Sequence, residues 1–323
     1  MKKTKVMRLL SLLLVMTLIS TCAISGTFAK YVTKAEGQDQ ARVAKWGVLV
    51  TVEGSAFADK YVADDEDYTA AGGEFSVIAE NGDQVVAPGT NSEQVGKKLV
   101  ATVTGKPEVA ARYTIEAKNI KDVVLPAGTY TDYTQLVKAD DGTYGYTNTF
   151  TLAKDYAPIK WDIKISKGST SYQMTTLLYD NLGSYVTVAE NYGLTREGCS
   201  LTDAITIIKK VAGNDTYKQV VEQALASVVS GGRNFQLDAD DDGNITMSYD
   251  FDPNKDMGFT FELTWAWAFE QTDVELYDKA DTYLGNWAAV LQGQTIEGFT
   301  APTDAKANCE INATFVATAT QID

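Results

Sequence analysis

Residues 259–269 read Phe-Thr-Phe-Glu-Leu-Thr-Trp-Ala-Trp-Ala-Phe and place large apolar side chains at every second position, with small or polar residues between them. A period of two is the signature of a β-strand with one buried face. A strand face carrying Phe259, Phe261, Leu263, Trp265, Trp267 and Phe269 cannot remain in water, so it lines the main core and the protein is organised around a sheet. At 323 residues and 45% hydrophobic content, the chain can build one large β domain or two modest ones.

Residues 1–29 read as a signal peptide. Lys2, Lys3, Lys5 and Arg8 form a basic start, and residues 9–24 form an apolar run too short for a stable membrane span. Two cleavage readings compete. The stretch Ile19-Ser20-Thr21-Cys22 partly matches a lipoprotein box, but Thr21 stands where a smaller residue is wanted. Cleavage by a signal peptidase after Ala29, in Gly26-Thr27-Phe28-Ala29, satisfies the small-residue requirement and is preferred. No later apolar stretch is long enough to cross a bilayer, so the expected product is secreted, to the extracellular matrix or cell surface.

Removing the leader leaves 24 basic against 43 acidic side chains and takes the net charge from −15 to −19. Such a chain repels nucleic acid and anionic membrane, so those partners are not expected, whereas a divalent cation or a cationic matrix component is compatible. Cys22 leaves with the leader. Cys199 and Cys309 remain as a candidate disulfide, with burial as two free small hydrophobes the other reading.

Residues 30–40, including Lys30, Tyr31 and Val32, are polar and read as an N-terminal arm. Residues 41–323 then read as a single β domain. Ala44, Trp46, Val48, Val50 and Val52 share one parity and mark a first strand; residues 59–73 read as an acidic loop. Pro88-Gly89 marks a turn, and residues 99–104 and 108–117 read as strands joined by a hairpin at Gly105-Lys106-Pro107. A second hairpin spans residues 130–150 with its turn at Asp140-Asp141-Gly142, and Ile159, Trp161, Ile163 and Ile165 form a further half-buried strand. Helices are expected only in an insertion of about 168–232. Ser200 and Asp203 cap one over residues 201–211, Asn214 caps another that ends at Gly231-Gly232, and residues 171–182 supply a third. The chain ends in a strand over residues 309–322.

The chain contains no His. That removes H-E-x-x-H zinc proteases, Ser-His-Asp and Cys-His hydrolases, and His-based acid–base catalysis. Asp238, Asp240, Asp242 and Asn244, with Gly243 among them, repeat the first half of a calcium loop, but Tyr249 stands where a bidentate Glu belongs and strands flank the segment. The loop is a candidate Ca²⁺ clip or a plain acidic turn; no other cofactor is called for. The stretch Leu125-Pro126-Ala127-Gly128-Thr129 is close to a sortase signal but lies mid-chain and reads as a loop. No phosphate loop or nucleotide fingerprint is present.

Several segments together resemble the TasA and camelysin family of secreted Gram-positive matrix proteins, whose leaders are cut by a SipW-type signal peptidase. They are Gly26-Thr27-Phe28-Ala29-Lys30-Tyr31, Ala41-Arg42-Val43-Ala44-Lys45-Trp46-Gly47-Val48, Pro88-Gly89-Thr90, the stretch GKPEVAA from Gly105 to Ala111, Leu263-Thr264-Trp265-Ala266-Trp267-Ala268-Phe269-Glu270, Asp281-Thr282-Tyr283-Leu284-Gly285-Asn286 and the closing Ala319-Thr320-Gln321-Ile322-Asp323. The last three look like clostridial relatives. The resemblance implies a jelly-roll antiparallel β-sandwich that self-associates into extracellular filaments, with the segment beginning at Lys30, Tyr31 and Val32 donated as a strand to the neighbouring subunit. The proteolytic label of the camelysin branch does not carry over, because no recognised metalloprotease site can be built without His. The expectation is a non-enzymatic structural protein of the cell surface or biofilm matrix. Its rival is a carbohydrate-binding or adhesive module that holds matrix polysaccharide without polymerising, since the chain has 17 Tyr and five Trp to offer as platforms. A two-carboxylate hydrolase ranks third.

Overall fold

The computed structural model describes residues 43–62, 75–79, 83–182, 194–196, 198–226, 229, 231–268 and 274–322. The leader, the arm with Lys30, Tyr31 and Val32, most of the 59–73 loop and Phe269 lie outside the described residues. In chain order the strands are β1 (Leu49–Glu53), β2 (Lys60–Val62), β3 (Phe75–Ile78), β4 (Val100–Thr104), β5 (Ala111–Lys121), β6 (Gly128–Thr131), β7 (Val137–Lys138), β8 (Tyr144–Gly145), β9 (Thr149–Leu152), β10 (Ile159–Lys167) and β11 (Thr170–Gln173). Helices α1 (Met174–Leu182), α2 (Leu201–Ala212) and α3 (Asp215–Ala226) follow, then β12 (Gly232–Ala239), β13 (Ile245–Phe251), β14 (Phe259–Trp267), α4 (Val274–Leu291) and β15 (Asn312–Gln321). The protein is mostly β, and its strands pair antiparallel.

Two sheets carry the structure. The five-stranded sheet runs β1-β4-β14-β10-β11 and the four-stranded sheet β12-β13-β5-β15. The aromatic strand is the centre of the larger sheet, with Trp265 opposite Trp161 and Phe261 opposite Ile165 on β10. Its alternate side chains serve two cores rather than one. At one end, Phe259 and Phe261 meet rings from the other sheet: Tyr113 on β5 lies edge-on to Phe259 at 5.1 Å, and Phe251 on β13 stacks on it at 5.7 Å. At the other end, Trp265 and Trp267 join Ile159, Trp161, Tyr61, Phe150 and α4. Each indole N–H there has an acceptor: Trp265 Nε1 donates to Ala56 O at 2.6 Å, Trp161 Nε1 to Asp122 Oδ1 at 3.3 Å, and Trp267 Nε1 to Asp281 Oδ2 at 3.4 Å. Buried indoles require such partners.

The 105–107 turn corrects the sequence reading. It does not close a hairpin: β4 pairs with β1 and β14, whereas β5 pairs with β13 and β15, so the chain crosses here from one sheet to the other. Gly105 has φ +129, and a Cβ at this position would lie 2.3 Å from Gly47 O, so only glycine permits this approach. The 130–150 segment does fold back on itself, β6 on β9 and β7 on β8.

Helices α1, α2 and α3 occupy the expected middle region, although β11 precedes them within it. Leu177, Leu178 and Leu182 of α1, Ile207, Ile208 and Val211 of α2, and Val221 and Leu225 of α3 bury into the first core. Ser200 caps α2 by accepting from Asp203 N, and Asn214 caps α3 by accepting from Thr216 N and Tyr217 N. Buried carboxylates from the scaffold add to this. Asp162 on β10 accepts from Thr175 N and Oγ1 at the start of α1, and Asp122 accepts from Leu201 N at the start of α2. Negative charge at these positions complements the helix N-termini.

The fourth helix was not expected. Residues 274–291 form α4, whose Leu276, Ala280, Tyr283, Leu284 and Trp287 recur at helical spacing and pack into the second core. Helices are therefore not confined to the 168–232 insertion.

Candidate assembly groove

The two sheets end side by side where β1, at the border of one, approaches β15, at the border of the other. Among the described residues β15 pairs on one side only, with β5, along its whole length. The backbone groups on its far side are those of an open edge. Between the two borders lies an apolar slot of about 30 Å³, walled by Val52 and Leu99 on one side and Phe315, Val316 and Ala317 on the other. Its floor is Phe261, Met247 and Ile115. A second apolar space of about 110 Å³ continues beneath α1 and α2, and the two share Ile115, Ile163, Met247, Leu263 and Phe315 in their walls. Native interiors hold few voids larger than a water molecule, so this seam between the sheets is underfilled.

Val52 of β1, which walls this slot, is 38% exposed, and Leu49 at the start of the strand is 61% exposed. Inner-facing Trp46, Val48 and Val50 pack on the first core. Backbone bonds at Lys45 and Glu108 tie the lead-in to the crossing between sheets, with Glu108 N donating to Lys45 O at 2.8 Å and Lys45 N donating to Glu108 Oε2 at 2.9 Å. One residue before Leu99, the Lys98 ammonium bridges Glu93 and Glu262 at 2.9 and 2.8 Å. Partial burial pulls Lys98 down, but those two carboxylates outweigh it and hold the ammonium above its ordinary range. The groove is thus an apolar slot with one lysine bridging two glutamates at its border, and no acid–base pair lies in it among the described residues.

The other predicted site residues lie elsewhere. Asp238 closes on its own chain through Ala239 N, and Asp240 accepts from both Asn244 N and Asn244 Nδ2 at 2.9 and 2.8 Å. Asn244 Oδ1 in turn accepts from Asn119 N, and Asp241 faces Lys209 at 3.2 Å. Asp242 is exposed. The side chains of Asp238, Asp240 and Asn244 are thus hydrogen-bonded within or beside the turn between β12 and β13, and no group of three or more metal-binding side chains is gathered among the described residues. Cys199 and Cys309 are free thiols, not a disulfide. Cys199 is bridged to Trp161 and buried in the first core, while Cys309 packs against the second. Burial pushes the Cys199 thiol up to about 12 and the Cys309 thiol to about 11, so both are protonated and unreactive at neutral pH.

Sequence reasoning missed two acids held in the interior, Asp122, which is buried, and Asp281, which is half-buried. Burial raises each to about 6, against the hydrogen bonds that Leu201 N, Trp161 Nε1 and Val123 N donate to Asp122 and those that Tyr156 Oη and Trp267 Nε1 donate to Asp281. Their only trace in the sequence is an Asp amid apolar neighbours, as in Lys121-Asp122-Val123-Val124-Leu125. No helix among the described residues is long and apolar enough to cross a membrane. No family model, no curated protein and no solved structure matches the chain.

Proposed function

We propose that the protein is a secreted structural subunit of the cell surface or biofilm matrix that polymerises by strand donation. In this reading the arm of residues 30–40 of one copy, beginning with Lys30, Tyr31 and Val32, lies along β15 of the next with its apolar side chains turned toward the seam beside β1. The observation that carries it is the β15 edge that, among the described residues, has no strand partner on the side away from β5, next to an underfilled apolar seam. Main-chain hydrogen bonds would supply the affinity and the slot the register, as in other strand-addition interfaces. The arm is followed in sequence, after residues 41–48, by β1, the border strand of the larger sheet.

The same reading takes the two facing sheets as a jelly-roll-like β-sandwich with a helical insertion. In support, the chain passes between the sheets at β4–β5, β13–β14 and β14–β15, and each central strand has chain-distant neighbours. The leader and the TasA-like segments agree with secretion and a matrix role, and none of these features calls for catalysis. Cryo-electron microscopy of the secreted polymer tests the proposal: the expected density shows an extra strand from the neighbouring subunit hydrogen-bonded to β15. A polymer whose contacts leave the β15 edge bare would overturn it.

A further inference from the structure

A second surface feature is of a different character. On the side of the molecule where α2 begins, a cleft of about 910 Å³ opens between the start of α4, the end of β5, the start of β10 and the 153–157 and 305–308 segments. Its size suits a ligand of several sugar rings or a drug-sized molecule. In a chain of net charge −15, four lysines line it: Lys121, Lys154, Lys160 and Lys306.

The acidic side chains in the cleft are already engaged. Asp155 accepts from Ala127 N and pairs with Lys306 at 3.3 Å, Asp203 accepts from Ser200 Oγ at 2.7 Å, and Asp122 accepts from the Leu201, Val123 and Trp161 N–H groups. Lys121, Lys154 and Lys160, by contrast, have no ion-pair partner among the described residues. Lys160 lines the cleft together with Asp122. One wall is aromatic: Tyr277, half-exposed, stacks on Tyr156 with centroids 4.8 Å apart and planes 17° from parallel. Tyr156 is itself anchored through its hydroxyl to Asp281 at 2.7 Å, so the platform is fixed before any ligand arrives.

We propose that this cleft binds an acidic polysaccharide, with Lys121, Lys154 and Lys160 taking the carboxylates of uronate residues and the Tyr277–Tyr156 stack lying against a sugar face. Unpaired ammonium groups supply charge-assisted hydrogen bonds to the anion. The preformed ring supplies apolar area at low entropic cost. An acidic peptide would use the lysines but gain little from a flat aromatic wall, which favours the saccharide. This site lies apart from the groove and stands whether or not the protein polymerises.

Affinity electrophoresis and calorimetry with polygalacturonate, with dextran as the neutral polymer and poly-glutamate as the acidic peptide, test it. Retention by polygalacturonate alone, weakening as salt is raised, is expected. Lys154→Gln and Lys160→Gln should each weaken binding about tenfold, the equivalent of one charged hydrogen bond. Tyr277→Ala should weaken it without changing its salt dependence, and thermal melts confirm that each variant is folded. Absence of retention, equal retention by poly-glutamate, or lysine variants that bind like the parent would each overturn the proposal.

Discussion

Among single residues, the buried polar groups set the sharpest expectations. Tyr113 and Tyr249 face each other across β5 and β13, both almost fully buried, and neither hydroxyl has a partner among the described residues. Burial raises both phenols, which therefore stay neutral. An unpaired buried hydroxyl costs about 1–3 kcal/mol, so Tyr249→Phe should leave stability unchanged or raise it by about 1 kcal/mol in denaturant melts. Asp122 and Asp281 govern the response to pH. A carboxyl whose folded pKa is about 6, against an ordinary 3.8, holds more protons when folded. Its stabilising contribution is complete below the unfolded value and is lost as pH rises through about 6. Lowering pH from 7 to 5 should therefore raise the melting temperature, each acid contributing about 1 kcal/mol over that window, and Asp122→Asn should remove about half of that slope. Asp250 works in the opposite sense: Arg112, bonded to it at 2.6 and 3.0 Å, holds it low, and its contribution fades only on stronger acidification.

At the level of elements, legibility followed the range of the determining interaction. The strand at 259–267 was plain in the sequence because alternation is local, and so were the capped starts of α2 and α3, where Ser200 and Asn214 act on N–H groups two or three residues ahead. The start of α1 was not marked in the same way, since its cap is Asp162, thirteen residues away on β10. The crossing at Gly105 was hidden for a similar reason: a Gly-Lys-Pro turn fits a hairpin locally, and only packing against Gly47 decides that it joins two sheets. Helix α4 is different. Its spacing was present in residues 276, 280, 283, 284 and 287, but Gly285 in mid-run weakens a helical reading. Gly285 is exposed and a Cβ there would meet nothing within 4 Å, so Gly285→Ala should stabilise the protein by about 0.5–1 kcal/mol in thermal or urea melts.

For the whole molecule, the two sheets share the aromatic strand's apolar face at one end and hand it to α4 and the β6–β9 hairpin at the other, which leaves the β1–β15 border as the place where the first core is incompletely closed. The existence of a β core was readable from alternation, but the position of this seam was not. It depends on which strands end each sheet, and that order joins residues more than 250 positions apart. The calcium loop and the cysteine pair were read from spacing and count, which say nothing of nearer partners: Asp240 bonds Asn244 within its own turn, and each free thiol sits in a different apolar cluster. In the proposed strand donation, the arm is the element that would join one copy to the next. Electron microscopy of the secreted protein with and without residues 30–40 tests this most directly: filaments should form with the arm and only single particles without it, with both forms equally folded. Filaments of unchanged form from the shortened chain would contradict it.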